Sequence, residues 1–287
     1  MVETRYPGGK GMVSQTNLYR MSKLTSRLWS SVGKKLITGI TGLALVGFLV
    51  AHLIGNLLIL AGAEAFNHYA KFLHDLGHGA AVIIAEIGLL AFFLFHTVTG
   101  ISIWLKKRKA AGEGAGSGSG RYAVAGHAGG PSRKGVSSQN MIWTGLIILL
   151  FVVLHIVHFK FGPDASDGYV FVDSIGVEMR DLHALVIEEF QNPFIVGLYV
   201  ISMLLLGLHL RHGVWSALQS LGFANPKLTP MLYTAAGAFG LLLAFGFLVL
   251  PLIVLFAFDA PSAAAASEAL PSAILGTPPG TTPGVSP

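Results

Sequence analysis

Four histidines lie deep within long apolar segments, and their residue type and spacing define the chemistry that this sequence could perform. They occur, one to a segment, in AHLIGN (51–56), FHTVTG (95–100), LHIVHF (154–159) and LGLHLRHGVWSALQSLG (206–222). A histidine within a membrane helix is costly and marks a functional site by default. Imidazole is a common axial ligand of haem iron, and helical bundles often house cofactors between facing helices. Four helices with one imidazole each therefore predict two bis-histidine sites, each for a b-type haem.

The composition agrees with a membrane protein and excludes several other kinds of site. Of 287 residues, 53% are hydrophobic and 11% are charged, whereas soluble domains carry about 25% charged residues. The chain has no cysteine, which excludes disulfides, thiolate metal sites, cysteine-ligated iron–sulfur clusters and c-type haem on this chain.

Five apolar segments each reach the roughly 20 residues that a helix needs to cross a bilayer. The sequence therefore predicts an all-α membrane protein of five transmembrane helices, the first four forming a dihaem bundle, with the histidine-free fifth packed outside. A short surface helix is expected at about 178–190, ended by Asn192-Pro193. The chain is expected to begin with an N-terminal arm (1–35) and two apolar segments (36–61 and 80–105), followed by a Gly-rich loop (106–139). The third segment (140–160), an acidic loop (161–192), two further segments (193–220 and 230–257) and a low-complexity tail (258–287) complete it.

The charges of the loops predict the orientation. The arm and the Gly-rich loop each carry seven Lys or Arg, whereas 62–79 and 161–192 carry one each, and 161–192 also has seven Asp or Glu. By the positive-inside rule, the N-terminus is cytosolic and the C-terminus lies outside. The formal net charge of +5 therefore reflects membrane orientation, and no nucleic-acid partner is expected.

Helical rise converts position along a segment into depth. His52 and His155 lie 17 and 16 residues from the cytosolic ends of their segments, whereas His96 and His209 lie 10 and 13 residues from theirs. We therefore expect His52 and His155 to bind an outer haem, and His96 and His209 an inner haem. His158 and His212 each follow a predicted ligand by three residues and are alternatives to it; either could instead bond a haem propionate.

The same motifs, together with FNHYAKFLHDLGH (66–78), resemble those of a known family. In that order they are similar to the cytochrome b558-type anchor subunit of succinate:quinone oxidoreductase, in the form with one large subunit and two haems, from about Ser26 to Phe258. The resemblance implies haem ligation at His52, His96, His155 and His209. It also implies a bacterial cytoplasmic membrane, with a flavoprotein and an iron–sulfur subunit docked on the cytosolic face. Succinate would be oxidised on another chain, and electrons would pass through the inner and then the outer haem to a quinone, with menaquinone expected. A higher oligomer is compatible with it.

The residues that would bind the quinone or the haem propionates are less sharply defined. Glu86 lies about 15 Å outward of His96, and an intramembrane carboxylate is a functional candidate by default, although an ion pair with a neighbouring helix would explain it equally well. Other candidates at the outer end are Glu64 and Asp75. Propionate candidates, besides His158 and His212, are Lys34, Lys35 and Arg211.

Three other functions are compatible with the pattern. The first is the dihaem cytochrome b subunit of a hydrogenase, a formate dehydrogenase or a b561-type reductase. The second is a fumarate reductase anchor, because the direction of the reaction is not encoded in these motifs. The third is a haem-free transporter or assembly protein that uses its histidines as proton relays.

Overall fold

The structure is a computed structural model that describes residues 26, 28–113 and 140–259. Most of the predicted N-terminal arm, Gly-rich loop and C-terminal tail therefore lies outside the described residues.

Five long helices dominate the described chain, and each is long and apolar enough to cross a membrane. Within the described chain, short elements lie between the first and second of them and between the third and fourth. The predicted all-α fold with five candidate membrane helices is confirmed, whereas the dihaem bundle stays a prediction. The long helices are α1 (Ser31–Leu57), α3 (Ala80–Glu113), α4 (Met141–Phe159), α6 (Pro193–Ser220) and α7 (Thr229–Ala257); the short ones are a 3-10 turn (Leu58–Ala61), α2 (Ala63–Asp75), a second 3-10 turn (Ala165–Asp167), β1 (Val170–Val172), β2 (Glu178–Arg180) and α5 (Leu182–Phe190).

Large apolar side chains point away from the bundle. Ile84, Leu150 and Leu242 are 70%, 62% and 69% exposed. A soluble protein rarely exposes contiguous apolar surface on this scale, so these helices need lipid around them.

The helix ends follow from local capping. The hydroxyl of Ser30 accepts a hydrogen bond from the Gly33 amide at 3.0 Å, so α1 begins five residues before the predicted segment. Asn192 caps α6 through the Phe194 amide, and Pro193 takes the first helical position, where its missing N–H costs nothing.

Four of the long helices form a ring. Neighbours around it are α1 with α3, α3 with α4, α4 with α6, and α6 with α1. The fifth long helix, α7, packs along α6 and also touches α1 and α5. Within the described chain the diagonal pairs, α1 with α4 and α3 with α6, make no comparable backbone contact.

The contact between α6 and α7 depends on glycine. A Cβ added to Gly240 would lie 2.9 Å from the carbonyl carbon and the Cβ of Leu210. Because neither atom belongs to the mobile end of a side chain, the two helix axes could not keep this approach. Small residues serve the same purpose in membrane helix interfaces generally.

A layer of short elements covers one end of the bundle, where the sequence predicted a loop at 62–79 and a helix starting near 178. Instead, 63–75 forms α2, and residues 178–180 pair antiparallel with 170–172. The surface helix begins only after Asp181, whose carboxylate accepts from the Ala184 amide at 2.9 Å and so caps it.

Buried Asn67 joins α2 to α5. It is 1% exposed, its side-chain amide donates to Asp181 at 2.9 Å, and its carbonyl oxygen accepts from the His183 amide at 2.9 Å. Both ends of the side chain are thus satisfied, as burial requires.

Asp173 fixes the turn of the β-hairpin in a similar way. Its carboxylate accepts from the Val177 amide at 2.8 Å and from the Ile175 amide at 3.0 Å, and it lies 3.1 Å from the ring of His68 on α2. The hydrogen bond from the Val177 amide is the largest contribution that lowers the pKa of Asp173 below its usual value. This carboxylate therefore holds the hairpin at neutral pH and releases it only in acid.

Gly240→Ala should separate α6 from α7. The added methyl group overpacks the contact with Leu210, and overpacking costs about 1–3 kcal/mol. Thermal unfolding of the purified protein in detergent, followed by circular dichroism, should show a lower midpoint for this variant. Gly47→Ala is the matched control, because a Cβ there meets nothing within 4 Å. Equal midpoints for the two variants would contradict this account of the interface.

Candidate functional site

Two histidine pairs cross the interior of the four-helix ring. His52 on α1 and His155 on α4 have ring centroids 5.7 Å apart, and His96 on α3 and His209 on α6 have theirs 6.2 Å apart. Each pair joins helices that face each other diagonally. The structure thus brings together the same partners that the depth argument paired, while their role as ligands stays a prediction.

The separation of the rings fits a shared metal ion. Because a metal–imidazole bond is about 2.0–2.1 Å long, two imidazoles on opposite sides of one ion place their centroids about 6 Å apart. In the described part of the chain, no three His, Cys, Asp or Glu residues cluster as a protein-only metal site would require. The arrangement suits a metal whose remaining ligands come from a macrocycle, as in haem.

His96 is oriented by a backbone carbonyl. Its Nδ1 lies 3.1 Å from the carbonyl oxygen of Thr38 on α1. A carbonyl only accepts hydrogen bonds, so this contact assigns the ring proton to Nδ1. The lone pair of Nε2 is then available to a metal, which is the arrangement typical of metal-bound histidine.

His209 is oriented by a threonine hydroxyl. Its Nδ1 lies 3.2 Å from Oγ1 of Thr144 on α4, and the same hydroxyl lies 3.2 Å and 3.1 Å from the carbonyl oxygens of Asn140 and Met141. The single hydroxyl proton can be donated to a helix carbonyl, which leaves the oxygen to accept from His209. Again Nε2 is left free.

His155 is oriented by a phenol. Its Nδ1 lies 3.1 Å from the hydroxyl of Tyr199 on α6. The fourth histidine, His52, is set by packing, because its ring stacks on Phe48 at 5.3 Å and lies 5.7 Å from Phe247. Three of the four imidazoles therefore have a polar partner at Nδ1.

Two glycines make room for the His96–His209 pair. A Cβ at Gly42 would lie 3.0 Å from Cε1 of His96, and a Cβ at Gly145 would lie 3.3 Å from Cε1 of His209. Both glycines stand on the helix that also supplies the acceptor for that ring. A larger residue would push the imidazole away from its acceptor.

The alternative histidines lie apart from the two pairs. His158 has a buried Nδ1 without a hydrogen-bond partner among the described residues, and it lies 4.0 Å from the carboxylate of Glu189. His212 is half-buried one turn beyond His209. In both cases it is the earlier histidine of the motif that faces a histidine across the ring.

The predicted quinone residues are all engaged with other side chains. Glu86 forms an ion pair with Lys160 at the end of α4, with both side chains nearly half exposed. Glu64 accepts a hydrogen bond from the Ser174 hydroxyl at 3.1 Å. Neither carboxylate contacts a histidine of the two pairs, and the ion pair matches the simpler explanation of Glu86.

Asp75 lies on the exposed end of α2. Its carboxylate forms an ion pair with Lys71 at 2.7 Å and lies 3.0 Å from the ring of His74. The hydrogen bond from His74, followed by that from Lys71, lowers the pKa of Asp75 below its usual value. A carboxylate so stabilised in its ionised form is a poor proton donor near neutral pH.

One basic residue is buried near His96. Lys35 and Arg211 are exposed, whereas Lys34 is 7% exposed. Its ammonium donates to the Ser102 hydroxyl and lies 5.0 Å from the Trp29 ring, with no carboxylate in ion-pair range in the described chain. Lys34 lies one helical turn before Thr38 and is therefore better placed than Lys35 for an anionic group near His96.

The acceptors at Nδ1 are what sequence reasoning missed. Thr38 acts through its backbone, which no residue type reveals. A buried tyrosine normally finds a hydrogen-bond partner, so Tyr199, standing in an apolar segment, was a signal that could have been used.

One comparison with known proteins gives a relative. The chain is 26% identical over 170 residues to the succinate dehydrogenase cytochrome b558 subunit of Bacillus subtilis (strain 168), which covers 59% of this chain and 69% of that protein. No protein-family model and no solved structure matches the chain.

Proposed function

We propose that this chain is the haem b-containing membrane anchor of a succinate:quinone oxidoreductase. The observation that carries the proposal is the pair of diagonal imidazole bridges, spaced for one metal each and with three Nδ1 atoms turned to acceptors. The similarity to a cytochrome b558 subunit supports the same function.

Two b-type haems would be held by this chain alone. His52 and His155 would ligate one iron, and His96 and His209 the other. Bound haem supplies one-electron chemistry by cycling between ferric and ferrous iron. The protein contributes the fixed orientation of its imidazoles, an apolar surround that excludes water, and Lys34 as a cation for a propionate.

Succinate would be oxidised on another subunit, and the electrons would pass through this chain to a quinone. On a docked flavoprotein, succinate would lose two electrons and two protons to become fumarate, and an iron–sulfur subunit would pass the electrons on. A quinone in the membrane, with menaquinone expected, would take up two electrons and two protons. The basic flanks of the helices favour a cytosolic location for the N-terminus, and the flavoprotein and iron–sulfur subunits would dock on that face of a bacterial membrane. The layer of α2, the hairpin and α5 would lie outside.

The quinone would bind near the His52–His155 pair, at the end covered by that layer. Glu86 is the first candidate for proton transfer there and Glu64 is the alternative, whereas the lowered pKa of Asp75 makes that carboxylate a poor proton donor. In the Glu86–Lys160 ion pair, the nearby ammonium could stabilise charge that develops on a reduced quinone.

The first test of the function is spectroscopic. The purified full-length protein should show a reduced-minus-oxidised difference spectrum of b-type haem, with two haems per chain by haemochrome assay. When the chain is isolated under mild detergent, a succinate-oxidising flavoprotein should co-purify with it. A colourless protein would refute the haem assignment, and a dihaem protein without such a partner would favour another cytochrome b.

Replacing a ligand of one pair should remove one haem only. His52→Ala or His155→Ala leaves a single imidazole at that site, so the haemochrome assay should give half the wild-type haem. His158→Ala is the control and should retain both haems. Loss of both haems from a variant that is otherwise folded would argue against the pairing.

Glu86→Gln tests the proton-transfer candidate. If Glu86 donates protons to the quinone, turnover with quinone should fall by about 10²–10⁴-fold, the usual contribution of a general acid or base, with haem content unchanged. Lys160→Gln breaks the same ion pair but keeps the carboxylate, and so should slow turnover much less. Equal slowing by both would show that only the ion pair matters, and unchanged turnover in Glu86→Gln would remove Glu86 from the site.

A further inference from the structure

Tyr199 is a buried polar side chain beside the His52–His155 pair. The residue is 7% exposed, and its ring meets the edges or faces of three phenylalanines from two other helices. The ring centroids lie 4.9 Å away for Phe151 and Phe190 and 6.2 Å away for Phe159, all at steep interplanar angles. Such edge-to-face contacts fix the position of the phenol.

The phenol hydroxyl is directed at His155, 3.1 Å from Nδ1. If Nε2 binds iron, Nδ1 carries the ring proton and donates a hydrogen bond to the tyrosine oxygen. A hydrogen bond accepted from Nδ1 fixes the tautomer and the ring plane and raises the basicity of the ligand. A more basic ligand stabilises ferric iron over ferrous iron and so lowers the reduction potential.

The two sites differ in how many such contacts they have. At the other pair, both imidazoles have an acceptor, Thr38 for His96 and Thr144 for His209. At this pair, the ring of His52 makes no hydrogen bond among the described residues and is flanked by aromatic rings. Among the described residues, the hydroxyl of Tyr199 is thus the single hydrogen-bonding contact of this pair of rings.

We propose that Tyr199 is a positioning residue that orients His155 and lowers the reduction potential of the haem bound by His52 and His155. The proposal rests on the proposed function, since it requires that haem, but it does not depend on the identity of the electron donor or the quinone. The Tyr199 hydroxyl would change the reduction potential of one haem and not that of the other.

The test is a redox titration of the full-length Tyr199→Phe protein, in which the visible spectrum reports the oxidation state of each haem. Phenylalanine keeps the ring and its contacts but removes the acceptor. We expect two haems per chain, one titrating at a higher potential than in the wild type and the other unchanged. Tyr233→Phe is the control, because that ring packs on Trp215 at 5.7 Å in another part of the bundle, and it should shift neither potential.

The outcomes separate this proposal from the function itself. A wild-type protein without b-type haem refutes the proposed function. A Tyr199→Phe protein with two haems and unshifted potentials, or with both shifted equally, overturns the proposal alone.

Should Tyr199→Phe retain a single haem, Phe190→Leu decides the cause. That variant loosens the packing of Tyr199 but keeps its hydroxyl. Retention of both haems in Phe190→Leu supports the role of the hydroxyl in holding His155. Loss of the same haem there would assign the effect to packing and overturn the proposal.

Discussion

The constraint on which this structure depends is that the nitrogens of an imidazole within an apolar bundle need hydrogen-bonding or metal partners. Water is absent there, so an unsatisfied polar atom is costly. For His96, His155 and His209 the fold supplies a hydrogen-bonding partner at Nδ1, and each partner belongs to a neighbouring helix. In each case the remaining ring nitrogen is Nε2, and the ring centroid lies 5.7 Å or 6.2 Å from that of a second imidazole. A neighbouring helix thus provides the hydrogen bond to Nδ1, and Nε2 is left available in the centre of the bundle. A buried histidine that would otherwise be unfavourable can therefore bind a ligand.

The hydrogen bonds to the histidines and the histidine pairs join different helices of the four-helix ring. The hydrogen bonds run along the sides of the ring, from α3 to α1 and between α4 and α6. The histidine pairs run along both diagonals, where the described helices make no comparable backbone contact. Glycine permits this geometry at two levels: Gly42 and Gly145 admit imidazole rings, and Gly240 lets α7 pack closely on the outside of α6. The side contacts therefore hold the helices, and the diagonals are left to whatever the imidazoles bind.

The number of helices and the pairing of the histidines could be predicted from sequence, because both depend on lengths measured along the chain. Helix number follows from apolar length, and the partners His52 with His155 and His96 with His209 follow from distance to the segment ends. The acceptors could not be predicted in the same way, because Thr38 acts through its backbone and Tyr199 through the rotation of α6 about its axis. The layer of α2 and the hairpin was missed since its stability comes from contacts distant in sequence, such as that of Asn67 with Asp181. The ion pair of Glu86 with Lys160 could not be predicted, because it required knowing how α3 faces α4.

The two sites, although built from the same residue type, are not equivalent. The His96–His209 site takes both acceptors from groups close to helix backbones, a carbonyl and a hydroxyl bonded to carbonyls, and backbone positions change little with side-chain substitution. The His52–His155 site takes its single acceptor from the end of a long side chain and is otherwise lined by Phe48, Phe151 and Phe247. If this pair binds haem as proposed, the apolar surround would disfavour the extra charge of ferric iron, whereas a hydrogen bond from His155 to Tyr199 would favour it. Because these two effects would oppose each other, the loss of one hydroxyl at this site would change their balance. In the proposed function, this is also the site nearest the layer of short elements, where a membrane-soluble acceptor would bind.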